Sequence, residues 1–357
     1  MVKEDKVGIG VIGCGVIGKG GHLKHYKNNP HAKIVAVCDT IEGRAKEAAK
    51  RFDAEAWYLD YHDLLQRNDI QGVSICTPHP LHAAPSIAAA KAGKHILCEK
   101  PMCSNLKDAN AVVDAVRKNN VKFLMGYTNY FMPTMQRSKK IIDEGLLGKI
   151  HEISRIGGGH QDGNQDADWF YSKWAGGGVT FDWTTYTLYM FRYLIGKIRT
   201  VFAQSAINQP YKKSKDKPGT LVKMEVEDTI SILMRFENDA IGLIYDSWSS
   251  PVGHGYTEII GFDGALTMDL VNEEMNLYTN KVQLPDYLHG WNKLIMPEIH
   301  RFDAYQARVD HFVDCIINNK EPAVSVEMGR DVMEVTEAAY ISNRQNRLVE
   351  LPINPSP

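Results

Sequence analysis

Near the amino terminus Gly13-Cys14-Gly15-Val16-Ile17-Gly18 carries glycines at its first, third and sixth positions. Glycines so spaced permit a tight turn and let backbone N–H groups approach a pyrophosphate at a helix N-terminus. The spacing alone is weak, because glycine-rich turns also serve plain strand-to-helix packing. Asp39 strengthens it: an acid 21 residues after Gly18 can hydrogen-bond both ribose hydroxyls of NAD and repel a 2′-phosphate. A dinucleotide-binding loop that prefers NAD is therefore predicted. Arg44, five residues further on, keeps NADP open, and its other reading is a solvated helix residue. Two more segments, Thr77-Pro78-His79-Pro80-Leu81-His82 and Glu99-Lys100-Pro101, close later apolar runs. Open parallel sheets bind ligands beyond the carboxyl ends of their strands, so Thr77, Pro78, His82, Glu99 and Lys100 join the coenzyme-contacting candidates. His82 also has a plainer reading, since a histidine opening a helix commonly satisfies local backbone groups. Glu-Lys-Pro by itself could be a surface ion pair before a turn.

The elements that must hold these residues follow from periodicity. Short apolar runs at 7–12, 34–38, 73–76, 95–98 and 122–126 alternate with helical patterns at 41–52, 81–92 and 105–119. The last carries Leu106, Ala109, Val112, Val113 and Val116 at helical spacing. Such alternation requires crossover connections and a parallel sheet covered on both faces, so a doubly wound α/β domain is expected over 1–126. The grammar then changes. Residues 229–236 alternate, with Ile230, Ile232, Met234 and Phe236 on one face, and 240–248 follow after a Glu-Asn-Asp turn. Asp263-Gly264 between 256–262 and 265–270 is a strong two-residue hairpin signal. An antiparallel sheet is expected, closed by helices near 303–318 and 329–343. The polar segment 208–223, with five lysines and two prolines, reads as a surface loop.

Across 357 residues, 41 basic and 43 acidic side chains give a formal net charge of −2. The chain lacks the basic field that a phosphate backbone or anionic lipid selects, and neither nucleic acid nor membrane is an expected partner. Residues 7–18 form an uncharged run too short for the roughly 20 residues of a bilayer span. The run follows Lys3-Glu4-Asp5-Lys6, of no net charge, and its glycines argue against a secretion signal. Six cysteines without CxxC spacing (Cys14, Cys38, Cys76, Cys98, Cys103, Cys315) suggest reduced thiols in a cytoplasmic protein.

In company, GCGVIG, TPHPLH and EKP resemble the signature of the glucose-fructose oxidoreductase, inositol dehydrogenase and rhizopine-catabolism family, written Gfo/Idh/MocA. The resemblance continues through Gly126-Tyr127 with Phe131-Met132-Pro133, Gly176-Gly177-Gly178-Val179-Thr180-Phe181-Asp182, Arg192-Tyr193-Leu194-Ile195-Gly196 and Glu321-Pro322-Ala323-Val324-Ser325, and so spans nearly the whole chain. It implies an NAD(P)-binding Rossmann domain over 1–126. Residues 127–357 would be an α+β domain for substrate binding and oligomerisation, its last helices able to pack back on the first. The implied activity is hydride transfer between a nicotinamide and a secondary alcohol or ketone of a sugar, cyclitol or related polyol, in a homodimer or homotetramer. In the family the EKP lysine, here Lys100, lies near the nicotinamide and the reacting hydroxyl, and the peptide before its proline is commonly cis. Family members follow the glycine triplet with an Asp and, four residues later, a His. This sequence has Asp182 but Tyr186, a departure shared with the glucose-fructose oxidoreductase and dihydrodiol dehydrogenase branch.

Oxidising a secondary alcohol needs a base for the hydroxyl proton and a geometry that directs hydride to the nicotinamide ring. A lysine beside an oxidised nicotinamide is favoured neutral by like charge and desolvation, and a tyrosine beside a protonated lysine is pushed toward phenolate. Two assignments follow. In one, Tyr186 exchanges the proton while Lys100 orients the hydroxyl and tunes it; in the other, Lys100 takes the proton and Tyr186 is a hydrogen-bond partner. Asp182 orients substrate or holds Lys100 charged until binding, its other reading being a helix cap after the glycine triplet. Just before the triplet, His160, Gln161, Asp162, Asn164, Asp166, Asp168, Trp169 and Tyr171 form a polar and aromatic stretch that suits a polyol lid. Asp168, Trp169 and Tyr127 thus join Asp182 and Tyr186 as substrate-contact candidates, although Trp169 could equally be packing. A metal on His160 and the aspartates is the rival reading. No HExxH or EF-hand spacing supports it, and no metal is expected. Two other functions share the fold. One is a non-catalytic ligand-sensing regulator, which need not keep Lys100, Asp182 and Tyr186; the other is an NAD-dependent glycosidase, which would release sugar without net NADH.

Overall fold

Valine- and isoleucine-rich runs bounded by glycine, proline or aspartate form β1 (Val7–Ile12), β2 (Ala32–Cys38), β3 (Ala56–Tyr58), β4 (Gly72–Ile75), β5 (His95–Cys98) and β6 (Phe123–Met125). The structure is a computed structural model that describes residues 6–159, 167–269, 274–281, 287–295 and 301–354. The six strands pair in the order β3-β2-β1-β4-β5-β6, all parallel. Strand order reverses between β1 and β4, the point at which open α/β sheets take their ligands. Every residue of β1 and β4 is buried, as covering on both faces demands. The connecting helices are α1 (Lys24–Asn28), α2 (Glu42–Phe52), α3 (Tyr61–Leu65), α4 (Ala83–Lys91) and α5 (Leu106–Asn119). In α5 the Asn105 side chain caps Asp108 N–H at 2.8 Å, the expected apolar stripe is buried, and Asn120 ends the helix in the left-handed region. Sequence periodicity did not reveal β3 and α3, which are too short to show a period.

Among the described residues one compact unit comprises 6–131 and 301–333, and a second comprises 132–295 and 334–354. The second unit holds α6 (Pro133–Asp143), α7 (Thr185–Leu194), β7 (Ile150–Gly158), β8 (Ile198–Ala206), β9 (Tyr211–Lys213), β10 (Leu221–Lys223), β11 (Thr229–Phe236), β12 (Ile241–Ser247), β13 (His254–Gly261), β14 (Gly264–Asp269), β15 (Glu274–Thr279), β16 (Gly290–Leu294) and β17 (Val349–Glu350). Among the described residues nine strands form one sheet in the order β16-β15-β14-β13-β7-β12-β11-β8-β17. Neighbours run antiparallel except β7 and β12, which are parallel. The alternation read in β11 is real: Ile230, Ile232, Met234 and Phe236 are buried, while Leu233 is exposed. Helix α8 (Arg301–Ile317) belongs to the first unit, and α9 (Val326–Gln345) begins in the first and ends in the second.

Two local expectations are corrected. Residues 208–223 are not an open loop, because β9 and β10 pair within them and Lys212 is buried. At 263–264 the hairpin between β13 and β14 forms as predicted, but Gly264 has no positive φ. Its glycine is needed for space, since a Cβ there would lie 2.4 Å from the Tyr278 carbonyl oxygen.

Candidate active site

β1 is followed by Gly13 with φ +100°, a conformation that favours glycine. A Cβ at Gly13 would meet the Cys76 carbonyl at 2.5 Å, and one at Gly18 would meet the Gly13 oxygen at 2.0 Å. Gly15 differs, with no atom within 4 Å of that position, so the loop is tight on its inner side and open on its outer side. The helical turn beyond it begins at Val16 and Ile17, Val16 being well exposed, and runs as a π-helix over Gly18–Leu23, a form frequent at functional sites. Asp39 braces this loop, its two oxygens accepting the N–H groups of Cys14 and Ile41 at 2.9 Å each. Each oxygen keeps a further lone pair for a ribose hydroxyl. Arg44 is exposed on α2. These residues fit a dinucleotide: open glycine backbone at a helix start for the pyrophosphate, and a fixed acid for the ribose.

β4 leads into Thr77 and Pro78, both part-exposed. His82 behind them is buried, its ring nitrogens 2.7 Å from the Pro101 and Thr77 carbonyl oxygens. It ties the two strand ends together, which is the plainer of its two readings. The Lys100–Pro101 peptide is cis. Lys100 is part-exposed, whereas Glu99 is buried and its carboxylate faces inward. Glu99 Oε1 accepts from Arg308 Nη1 at 2.7 Å and lies 2.8 Å from His22 Nε2; Oε2 accepts the Lys100 N–H at 3.2 Å. Burial alone would raise the Glu99 carboxyl, but Arg308 and His22 outweigh it and hold it well below the usual carboxylate range. Arg308, fully buried on α8, was not foreseen. Its signal in the sequence is a lone charge on the stripe Ala304, Arg308, Phe312, four residues apart and all buried.

Burial, with Arg308 beside it, pushes His22 down to about 4. His25, His82, His95 and His311, in the same unit, are likewise pushed down by burial. As pH falls below about 6.5 the unfolded chain takes up these protons before the folded one does, so stability falls with pH. His22 alone contributes a loss of about 3 kcal/mol between pH 6.5 and 4. Urea unfolding of the full chain at pH 7, 6 and 5 should therefore show a steadily falling midpoint. A midpoint flat over that range contradicts this assignment.

In the second unit the glycine triplet leads into a π-turn, Thr180–Thr184, and then α7. Gly178 and Thr180 donate their N–H groups to Glu227 Oε1 at 3.0 and 3.2 Å, and Tyr340 donates its hydroxyl to the same oxygen at 2.7 Å. The N-terminal acid of this helix is thus Glu227, not Asp182, which lies inside the turn. The triplet is small for the same reason: a Cβ on Gly177 would lie 1.9 Å from the Tyr340 hydroxyl, and one on Gly178 equally close to the Glu227 carbonyl oxygen. From the sheet, buried Asp246 on β12 accepts from Thr184 Oγ1 at 2.8 Å and Thr187 Oγ1 at 3.4 Å. Between 180 and 191 only Asp182, Trp183 and Tyr186 are part-exposed. The helix is pinned from its buried side and presents these three from the other, and Trp183 is a site candidate that sequence reasoning missed.

Asp168 is part-exposed and hydrogen-bonded within its own unit. Its oxygens accept from Ser214 Oγ at 2.5 Å and Lys215 N–H at 2.7 Å, tying its turn to the β9–β10 hairpin. The Trp169 ring stacks on Phe170 at 3.9 Å and meets Trp174 edge-on at 5.6 Å. Tyr127, after β6 in the first unit, is fully buried. His160, Gln161, Asp162, Asn164 and Asp166 lie outside the described residues.

Known proteins carry the same two parts in the same order. Residues 7–127 match the oxidoreductase family with an NAD-binding Rossmann fold, and residues 135–267 match the GFO/IDH/MocA C-terminal domain. The chain belongs to the GFO/IDH/MocA oxidoreductase family. Myo-inositol 2-dehydrogenase of Thermotoga maritima is 28% identical over 348 residues, covering 96% of this chain and 98% of the relative. Levoglucosan dehydrogenase of Pseudarthrobacter phenanthrenivorans is 30% identical over 286 residues, 73% of each chain. A solved structure of levoglucosan dehydrogenase in complex with NADH and L-sorbose superposes with a TM-score of 0.88 at 25% identity, covering 97% of this chain and 99% of that one. This GFO/IDH/MocA protein is thus an oxidoreductase, and its first unit is an NAD-binding Rossmann domain.

Proposed function

We propose that this GFO/IDH/MocA oxidoreductase moves hydride between NAD and a secondary alcohol or ketone of a cyclic polyol, a sugar or cyclitol. The observation that carries this reading is the division of labour in Glu99-Lys100-Pro101. The Glu99 carboxylate is consumed inside the domain, and the part-exposed Lys100 side chain is left at the carboxyl end of β5. The relatives named for inositol and levoglucosan support the substrate class.

Gly13, Gly15, Val16, Ile17 and Gly18 hold the pyrophosphate, and Asp39 holds the ribose and disfavours a 2′-phosphate, so NAD is preferred over NADP. Bound NAD supplies the hydride acceptor. Lys100 is assigned the orientation of the substrate hydroxyl. Tyr186 takes the hydroxyl proton, and Asp182, on the same helix face, orients the substrate. Trp169 with its aromatic neighbours offers the apolar surface that a sugar ring's C–H face requires. A screen of sugars, inositols and dihydrodiols with NAD and NADP, read at the reduced-nicotinamide absorbance, tests this reading. Reduction of NAD by at least one cyclic polyol is expected. Binding without turnover, or sugar release without net reduction, contradicts it.

The partner we propose is a second copy of the chain. Leu233 on β11, Leu243 and Tyr245 on β12, Ile156 on β7 and Tyr256 on β13 are exposed on one face of the nine-stranded sheet. Leu233 faces Leu243, and Ile156 lies between Tyr245 and Tyr256, so the patch is continuous across four strands. Patches of this kind mark association sites, and a sheet face suits a two-fold contact. The native chain should elute as a dimer or tetramer and Leu243→Glu as a smaller species. A native monomer rejects the proposal.

A further inference from the structure

The geometry points to Arg308 as the positioning residue that fixes the Lys100 turn and couples it to the NAD-binding helix. This inference rests on the role of Lys100 given above. Arg308 Nη1 donates to Glu99 Oε1 at 2.7 Å, Thr128 Oγ1 at 3.1 Å and the Gly126 carbonyl at 3.2 Å. Nη2 donates to the Gly21 carbonyl at 3.2 Å and lies 2.9 Å from His22 Nε2. One guanidinium therefore touches three separate pieces of the domain. Gly21 and His22 belong to the π-turn that follows the glycine loop, Glu99 follows β5, and Gly126 and Thr128 follow β6. Glu99 in turn accepts the Lys100 N–H on its other oxygen. The backbone of Lys100 is thus fixed by an acid whose own position is set from α8, 209 residues away in sequence.

The arrangement is built for a planar fork. The five contacts fall on two terminal nitrogens that carry four protons in one plane, pointing in directions that the three protons of a single ammonium nitrogen do not span. The same group supplies the counter-charge for Glu99 in the interior, with His22 and the Lys100 N–H as its other partners. His22 extends the chain of contacts to Ser74 Oγ at 3.0 Å, and Tyr26 lies 2.8 Å from that oxygen. Both lie within the domain core, so the cluster is anchored at both ends. A shift of the glycine-loop helix moves His22 and Gly21, and through Arg308 and Glu99 it is felt at Lys100.

The test is Arg308→Lys in the full chain, which keeps the buried charge and removes the fork. At a temperature where circular dichroism shows the variant folded, kcat should fall about 10- to 100-fold from misplacement of the lysine, with little change in KM for the polyol. The pH dependence of kcat should shift, and NADH titrated by its own fluorescence should bind more weakly. Native kcat, pH profile and NADH affinity in Arg308→Lys overturn the inference. Lys100→Met, assayed alongside, separates this from the underlying reading. An inactive Lys100→Met beside a fully active Arg308→Lys overturns the role of Arg308 alone. A fully active Lys100→Met overturns the role of Lys100 itself.

Discussion

Lys100→Met should lower kcat by about 10³-fold while leaving NADH binding near its native strength, because the amine orients the hydroxyl whose proton is transferred, and groups that serve proton transfer contribute about 10²- to 10⁴-fold. Met matches the length of the lysine stem and removes only the amine. Glu99 still accepts the N–H of residue 100, so the backbone of the turn keeps its hydrogen bond. Tyr186→Phe is the companion measurement. If Tyr186 carries the proton, its loss is also expected to cost about 10²-fold or more and to remove one limb of the pH–rate profile. If Lys100 carries it, the Phe variant keeps most of its turnover and both limbs. Fully retained turnover in Tyr186→Phe would sink the assignment of the proton to Tyr186. Native turnover in Lys100→Met would remove the basis of the mechanism.

Glu99→Gln should destabilise the NAD-binding domain by about 3–5 kcal/mol, since it leaves the guanidinium of Arg308 buried without its counter-charge. A domain is stable by only about 5–15 kcal/mol, so this is a large fraction of the whole. At about 2–4 °C per kcal/mol for a domain of this size, the midpoint of thermal unfolding falls by roughly 10 °C. The double variant Glu99→Gln with Arg308→Met removes both charges and should recover much of the loss, as buried pairs replaced together usually do. A loss below about 1 kcal/mol in Glu99→Gln would mean that Thr128 and the Gly21 and Gly126 carbonyls suffice for Arg308, against the need for a counter-charge.

Much of the fold was legible because it rests on local signals. Six consecutive residues set the glycine turn, and the buried stripe of α5 shows its period over fourteen residues. What escaped was short or non-local. β3 has three residues and α3 five; the cap by Asp60 on the His62 N–H was the one signal available for α3. The 208–223 segment was misread because Lys212 takes the inward position of a three-residue strand, and a buried lysine defeats a hydropathy rule. In the site, the motif residues Asp39, Glu99, Lys100, Asp182 and Tyr186 stand out by local spacing, whereas part-exposed Trp183 and most of the groups that hold the motif residues do not. Glu227 and Tyr340 reach the glycine triplet from 49 or more residues away, and Arg308 reaches Glu99 from 209. Such partners show only as a charge on an apolar stripe or a small residue where a Cβ would collide, and one sequence does not say with what.

In the proposed reaction hydride passes directly from a substrate carbon to NAD. The most direct measurement uses an accepted polyol deuterated at the reacting carbon, with the reduced coenzyme isolated and its isotope content read by mass spectrometry. One deuterium per molecule of reduced coenzyme, with none from heavy water in the reverse-label control, is the predicted result. Deuterium lost to solvent, or product formed with no labelled coenzyme, would rule out direct transfer.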